Sequence, residues 1–277
     1  MNKLLAANFM RMKKSKVFGG CILFMLLLGT IMPVSQYLEA DKLGLETSLD
    51  GSFFVFAMFI GMTLATFCGL FFGTEYGDGT VRNKVIVGHK RSWIYGANLV
   101  TGIVAGLLMC AAFIMMHLIF GALLLGSFTI ETQYILLFMA AAGFMTVSFA
   151  SVFTAISMLN QNKAVIAVIC ILFSFVALLA GQYIQGRLDA PEMYEGYAYT
   201  DDSGKLVEVQ AEKNPRYLEG TERKVYEFMH DLLPGDQQIQ IAHMSTAHPW
   251  RLIGYSAALS VIITSLGMAM FRRKDLK

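Results

Sequence analysis

Side chains that could carry catalysis or hold a metal are few in this sequence of 277 residues, and they are scattered along it. No pair of carboxylates stands out for acid-base work, no His-Glu metal spacing occurs in an apolar run, and no Ser/His set is evident. His230, His243 and His248 share one polar stretch and could bind a metal ion, but we interpret them as surface histidines. We therefore predict no metal site and no enzymatic activity in this chain.

Nucleotide binding is not predicted either. The phosphate-binding loop Gly-x4-Gly-Lys-Ser/Thr does not occur, and the single Gly-Lys pair, Gly204-Lys205, is followed by leucine. The basic residues concentrate on one side of the membrane that the apolar runs described below predict, so the sequence does not favour nucleic acid as a partner. We expect no cofactor in this chain.

One polar segment, residues 73–93, combines glycines with charged residues in a defined order. Gly77 and Gly79 allow a sharp turn, Asp78 or Thr80 can cap a helix, Val81 to Val87 gives about two helical turns, and Gly88 supplies a stop. Val81 and Val85 fall on one stripe of this predicted short helix, with the cations away from it. Such a helix would present a mixed face to a partner, and a solvated charged connector is the alternative.

The elements that position this segment are apolar. Spanning about 30 Å of hydrocarbon takes about 20 apolar residues in a helix, and 56% of this chain is hydrophobic whereas 15% is charged. Six runs predict transmembrane helices: Val17 to Tyr37, Ser52 to Phe72, Ile94 to Leu125, Tyr134 to Met158, Ala164 to Tyr183, and Leu252 to Phe271. None contains Asp, Glu, Lys or Arg, so a proton- or sodium-coupled carrier is not favoured. His117 is expected to bond to a neighbouring helix.

Charge on the connecting segments orients these spans. With the N-terminus inside, one side holds 14 cations and 3 acids, whereas the other holds 8 cations and 17 acids. The positive-inside rule then predicts a multi-pass plasma-membrane protein with both termini in the cytoplasm.

The predicted fold is an all-α membrane protein with six transmembrane helices, an N-terminal amphipathic interfacial helix, and a small α+β extracellular domain between spans five and six. The predicted parts are the interfacial helix (1–16), spans one to five with the loop at 73–93 (17–183), the extracellular domain (184–249), and span six with a basic cytoplasmic tail (250–277). In the extracellular domain, Tyr197 to Thr200 and Leu206 to Gln210 predict a hairpin with its turn at 201–204. Thr221 to Leu233 predicts a helix that Pro234-Gly235 ends.

The N-terminal segment has apolar residues at helical spacing opposite its cations. We predict a helix at the inner membrane surface rather than a frayed basic tail. The cations predicted to face anionic lipid are Lys3, Arg11, Lys13, Lys14, Lys16, Arg272, Arg273 and Lys274.

A family resemblance rests on the loop between the second and third spans. Its motif is Glu75-Tyr76-x-x-Gly79-Thr80-x-Arg82-Asn83, followed by Gly88-x-x-Arg91-x-x-Ile94-Tyr95. This motif resembles that of the membrane-spanning permeases of bacterial type-2 ATP-binding-cassette (ABC) exporters. The ending Phe271-Arg-Arg-Lys-Asp-Leu276 and the place of the extracellular domain are also similar to the family, so the resemblance covers the full length.

The resemblance implies that residues 80–87 form a coupling helix that seats in a groove of an ATP-binding subunit. The coupling residues it implies are Glu75, Tyr76, Gly79, Thr80, Val81, Arg82, Asn83, Val85, Gly88 and Arg91. Glu75 and Arg82 would lock the loop or pair with that subunit; alternatively, Glu75 neutralises Arg82, Lys84 or Arg91.

The resemblance also implies two ATPase subunits that bind ATP and Mg, and a second permease subunit, identical or related. The Met- and Phe-rich spans suit an amphipathic cargo such as an antimicrobial peptide, a drug or a lipid-like molecule. The alternative is a membrane-anchored peptide sensor or immunity protein that transports nothing.

Overall fold

The computed structural model describes residues 1–200, 204 and 206–275. The described chain is mostly helical, and six of its helices are long and apolar enough to cross a membrane, which confirms the predicted spans. The helices are α1 (Asn2–Lys13), α2 (Lys16–Leu43), α3 (Asp50–Phe53), α4 (Phe56–Gly77), α5 (Thr80–Ile86), α6 (Arg91–Leu124), α7 (Thr132–Leu159), α8 (Lys163–Leu188), α9 (Gly220–Leu232), α10 (Pro234–Ala242) and α11 (Pro249–Arg273).

The six long helices pack as three close pairs: α2 with α6, α4 with α8, and α7 with α11. In the most apolar part of each span, 67% of the residues are buried in α3–α4 and 56% in α7, whereas 22% are buried in α2 and in α11, so α4 and α7 are inner helices. Glycines let α4 and α8 approach: a Cβ on Gly69 would lie 2.8 Å from Cα of Ala167, and one on Gly73 would lie 3.2 Å from Cα of Lys163. α4 therefore contacts helices on several sides.

Helix α6 has 34 residues and is about 51 Å long at 1.5 Å per residue. That length exceeds the hydrocarbon thickness of about 30 Å, so α6 tilts or extends beyond the hydrocarbon. α1, α5 and the end of α11 lie at the end of the bundle where α6 begins, which we call the basic end. The segment between α8 and α11 lies at the opposite end.

The predicted hairpin and helix between α8 and α11 are present. Strands β2 (Tyr197–Thr200) and β3 (Leu206–Val209) pair antiparallel, with Tyr197 opposite Val209. Two further short strands, β1 (Met193–Tyr194) and β4 (Glu212–Lys213), pair antiparallel in a separate two-stranded sheet. Gly204 of the predicted turn has a φ of +79°, whereas Asp201, Asp202 and Ser203 lie outside the described residues.

A helix that the sequence analysis missed follows α9. Pro234-Gly235 was expected only to end a helix, but Pro234 also starts α10, because proline fits the first turn of a helix, where its missing N–H costs nothing. All nine residues of α10 are buried, and α10 packs against α8, α4 and α7. Gly235 lies so close to the Ala177 carbonyl that a Cβ would have no room. The connection between α8 and α11 is therefore inserted into the bundle rather than only resting on it.

Candidate functional site

The most tightly bonded polar group at the basic end is the carboxylate of Glu75, near the end of α4. Its side chain is fully buried, and Oε1 lies 2.8 Å from Nη2 of Arg11 and 2.7 Å from Nζ of Lys84. Oε2 accepts a hydrogen bond from Nδ2 of Asn98 at 2.9 Å. Because these partners belong to α1, α5 and α6, one carboxylate joins four helices. We call Asn8, Arg11, Glu75, Lys84 and Asn98 the Glu75 cluster.

Asn8 completes this cluster from α1. Its Nδ2 donates to Oδ1 of Asn98 at 2.7 Å and to Oγ1 of Thr101 at 3.2 Å, and its Oδ1 accepts from Nζ of Lys84 at 3.2 Å. Asn8 is buried between Leu4 and Met12, which lie four residues before and after it on the inner stripe of α1. Sequence analysis missed Asn8; a polar residue in phase with an apolar helical stripe was the available signal.

Arg11 was predicted to lie at the membrane surface and instead faces the interior cluster. Its guanidinium carbon lies 3.9 Å from the ring centroid of Phe71, and Nη2 also donates to the Phe71 carbonyl at 3.4 Å. The Arg11 side chain keeps 36% of its surface exposed, whereas that of Lys84 keeps 13%. Of the three cations proposed to neutralise Glu75, only Lys84 does so, and Arg11 is the second cation.

The outward face of α5 differs from the stripe that the sequence predicted. Gly79 (φ +66°) and Gly88 (φ +95°) flank α5 in the left-handed region that glycine tolerates. Val81 is 1% exposed and packs inward, as Val85 does in part, so this stripe attaches α5 to the bundle.

Ile86 and Val87 are 70% and 77% exposed at the end of α5. Arg82 and Asn83 are also exposed, and within the described part of the chain they have no side-chain hydrogen bond or ion pair. We call Arg82, Asn83, Ile86 and Val87 the outer face of α5. Two large apolar side chains beside a cation form a small surface suited to contact another protein.

Tyr76 and the C-terminal tail meet at one carbonyl. The hydroxyl of Tyr76 donates to the Met158 carbonyl at 2.6 Å, and Nζ of Lys274 donates to the same oxygen at 3.1 Å. Nζ of Lys274 also lies 4.6 Å from the Tyr76 ring centroid. Burial lowers the pKa of Lys274 to about 8. The tail after α11 is thus held against the ends of α4 and α7.

Arg91, at the start of α6, binds the end of α11. Its Nη1 donates to the carbonyls of Phe271 at 3.3 Å and Arg272 at 3.1 Å, and also to that of Lys274. A guanidinium is favourable there because the last carbonyls of a helix lack partners and carry partial negative charge. Arg91 therefore connects the start of α6, which follows α5 after a short loop, to the last span.

The remaining cations predicted for the membrane surface are exposed side chains at the basic end. They are Lys3, Lys13, Lys14, Lys16, Arg272 and Arg273.

At the opposite end, His117 bonds to a neighbouring helix as predicted: its Nε2 lies 2.8 Å from Oγ of Ser52. Ser52 gives its single proton to Oε1 of Gln36 at 2.6 Å, while Nε2 of Gln36 donates to the Ser48 carbonyl. His117 must therefore donate to Ser52, which is the reverse of the direction that would activate a serine nucleophile. This Ser/His pair connects α3 and α6, and Gln36 joins α2 to it.

Polar side chains of α10 hold it in the bundle. Nε2 of Gln238 donates to the carbonyls of Ala57 at 2.9 Å and Met58 at 3.0 Å, and Oγ of Ser256 donates to Gln237 at 2.6 Å. His230 on α9 lies with Nδ1 2.9 Å from Oδ1 of the buried Asp236. Among the residues that the structure describes, no group of three or more His, Cys, Asp or Glu could hold a metal.

Comparison with protein-family models, curated proteins and solved structures finds no match. The fold itself defines a class: six apolar helices make this chain a multi-pass helical membrane protein. Within that class it carries a buried ion-pair cluster beneath a short helix with an exposed outer face.

Proposed function

We propose that this chain is the membrane-spanning permease subunit of an ATP-driven exporter of the type-2 ABC class. It forms half of a transport pathway, and α5 couples it to a separate ATPase subunit that binds ATP and Mg. The observation that carries the proposal is the two-sided character of α5. Its inner side is fixed by Val81 and by the ion pair of Lys84 with Glu75, and its outer side exposes Ile86 and Val87.

The orientation supports a cytoplasmic ATPase. α1, α5 and the described part of the tail after α11 lie at the basic end of the bundle. Of the 14 cations that the sequence assigns to one side of the membrane, 13 fall on described residues, and the positive-inside rule assigns that side to the cytoplasm. The outer face of α5 then points to the compartment that holds ATP.

The Glu75 cluster supports force transmission. A push on α5 reaches Glu75 through Lys84 over 2.7 Å, and Glu75 is itself bonded to α1 and α6. A paired and buried carboxylate resists separation because an uncompensated charge inside a protein is costly. A displacement of α5 is therefore passed to α4 and α6 together.

An apolar cavity of about 430 Å³ between α2 and α4 supports a pathway for an amphipathic cargo. Val17 and Phe24 line one wall, and Met62 and Leu70 line the other. The cavity is open rather than enclosed, and in this proposal a second permease subunit, identical or related, would complete it. Amphipathic peptides, drugs and lipid-like molecules fit such walls.

The test is co-expression with an ABC ATPase encoded beside this gene, followed by purification and measurement of ATP hydrolysis. We expect Ile86→Glu/Val87→Glu to abolish co-purification and stimulated hydrolysis, because both side chains are exposed and their substitution leaves the bundle intact. Val225→Glu is the matched control, since Val225 is 50% exposed on α9 at the opposite end. Full co-purification and hydrolysis with the double variant would overturn the proposal.

A peptide sensor or immunity protein is the second candidate, and the insertion of α10 favours it. A ligand bound between α8 and α11 could move α10, which contacts α4, α7 and α8. A sensor needs no ATPase, so failure of every neighbouring ATPase to bind would favour this candidate.

A further inference from the structure

A second cavity opens at the basic end, between the start of α6 and the end of α11. Its volume is about 440 Å³, and Lys90, Arg91, Ser92 and Arg272 line it. An adjacent cavity of about 330 Å³ is lined by Ala269, Arg272 and Arg273. Arg272 lines both cavities, and we call the two cavities together the basic recess.

The charges in this recess are not balanced by the protein. Arg91 is committed to the carbonyls at the end of α11, but it keeps its positive charge. Lys90, Arg272 and Arg273 have no ion pair with an acidic side chain within the described residues, and no acid lines either cavity. A recess with several cations and one hydroxyl is complementary to a phosphate group.

Apolar side chains beside the recess place it at a lipid boundary. Trp93 is 43% exposed one residue beyond Ser92, and Nζ of Lys90 lies 5.5 Å from its ring centroid. On α11, Leu266 and Met270 are 60% and 57% exposed, and they lie seven and three residues before Arg273, on the same face of the helix as that recess residue. Tryptophan concentrates where hydrocarbon meets water, and exposed Leu and Met on a membrane span face lipid chains.

We propose that the recess binds the headgroup phosphate of an anionic phospholipid, with Lys90, Ser92 and Arg272 as its ligands and the acyl chains along Leu266 and Met270. The apolar flank favours a lipid over an acidic protein segment, which would need no hydrocarbon contact. The bound lipid would join the start of α6 to the last span, beside the Arg91 bonds that already connect them. This proposal concerns the chain alone and does not depend on an ATPase.

The chain offers its own reporter for a test. Its two tryptophans are Trp93 and Trp250, so Trp250→Phe leaves Trp93 as the single fluorophore, beside the recess. The full chain is reconstituted in phosphatidylcholine vesicles that contain a minor fraction of phosphatidylglycerol. In one sample the phosphatidylglycerol carries brominated acyl chains, and in the other the phosphatidylcholine does; bromine quenches a tryptophan that the chains contact. Each fluorescence intensity is divided by that of the same protein in vesicles without brominated lipid.

We expect brominated phosphatidylglycerol to quench Trp93 more than brominated phosphatidylcholine at the same mole fraction. Lys90→Gln/Arg272→Gln should reduce the relative association constant about fivefold for each cation removed. Arg272→Lys keeps the charge and should keep most of the preference. Lys13→Gln/Lys14→Gln removes two exposed cations from the same end of the bundle but outside the recess. This double variant should keep the full preference for phosphatidylglycerol.

Three results would overturn the proposal. Equal quenching by both lipids in the parent protein would mean that no anionic lipid is selected. An equal loss with Lys13→Gln/Lys14→Gln would mean a diffuse surface charge rather than a site. Displacement of phosphatidylglycerol by dissolved inorganic phosphate or polyglutamate would reassign the recess to a free anion or an acidic polypeptide.

Discussion

Glu75 on α4 and Lys84 on α5 form an ion pair of 2.7 Å that no water reaches on the carboxylate side, because the Glu75 side chain is fully buried. The pair spans nine residues of chain and crosses the Gly79 turn that precedes α5. It therefore fixes a helix whose backbone connections alone would leave it free to pivot. In the proposed permease, this contact is where movement of the ATPase enters the membrane domain.

Glu75→Gln should destabilise the whole bundle. The substitution keeps the shape of the side chain but leaves Arg11 and Lys84 without their counter-charge, and breaking a buried pair costs about 3–5 kcal/mol. Arg11 and Lys84 keep some solvent contact, so the lower figure applies. The measurement is the free energy of unfolding in detergent by denaturant titration.

Glu222→Gln is the control for that experiment. Glu222 lies 3.7 Å from Arg187, and its side chain is 62% exposed, so this pair should contribute about 0–1 kcal/mol. If the free energy of unfolding of the Glu75 variant were no lower than that of the Glu222 variant, the Glu75 cluster would not stabilise the bundle.

Asn8→Ala should loosen α1 from α6. Asn8 makes three side-chain hydrogen bonds, and its removal leaves buried groups of Asn98 and Lys84 short of partners, at a cost of about 1–3 kcal/mol. Hydrogen exchange of the α1 amides measures this directly and should be faster. Asn83→Ala is matched in chemistry, since Asn83 is exposed and has no side-chain partner among the described residues, and it should leave α1 unchanged.

Gly235→Ala should push α10 away from α8. The Ala177 carbonyl occupies the space that a Cβ on Gly235 would need, and an overpacked methyl group typically costs about 1–3 kcal/mol. Gly186→Ala is the comparison, because a Cβ on Gly186 would meet nothing within 4 Å. Faster hydrogen exchange in α10 should occur only for the first variant; equal exchange in both would mean that α10 is not wedged against α8.

The seating of α10 should weaken as the pH rises. Burial raises the pKa of Asp236, nearby Asp231 and Asp189 add to this, and His230 opposes it. The folded state then keeps a proton on Asp236 above the ordinary pKa of 3.8, where the unfolded state has lost it. Stability from this group is full below that value and is lost as the pH rises through the raised pKa.

Asp236→Asn removes this titration and should flatten the pH dependence of α10 hydrogen exchange, after correction for the intrinsic exchange rate. Arg251 and His248 face Asp231 from the side of α11 and remain in both proteins, so their effects cancel in the comparison. Asp41→Asn alters an exposed acid and should change nothing. An unaltered slope in the Asp236 variant would contradict the assignment.

Apolar runs were enough to predict the spans, because a transmembrane helix satisfies its own backbone and its signal is local. The short helix α5 was also predictable, since Gly79 and Gly88 mark its ends. Which face of α5 points outward was not predictable, because the burial of Val81 depends on how α5 packs against α4 and α6 and not on the local pattern of residues.

Long-range contacts account for the other differences. Arg11 lies 64 residues from Glu75 in sequence, so its role could not be separated from that of the other surface cations. Pro234-Gly235 can end one helix or begin the next, so its sequence alone did not predict α10. The need for glycine at position 235 comes from the close approach to Ala177, which is distant in sequence.

The most direct test of the central claim is cross-linking from α5 to the ATPase subunit. Val87→Cys places a thiol on the outer face of α5, at a position where the native side chain is 77% exposed. Val81→Cys places a thiol on the buried side of α5, where the native side chain is 1% exposed. The four native cysteines are buried and serve as the background. With a short bifunctional reagent and the co-expressed ATPase, we predict an adduct from Val87→Cys and none from Val81→Cys or from Val225→Cys on α9. No adduct at position 87, or equal adducts at positions 87 and 225, would contradict the account.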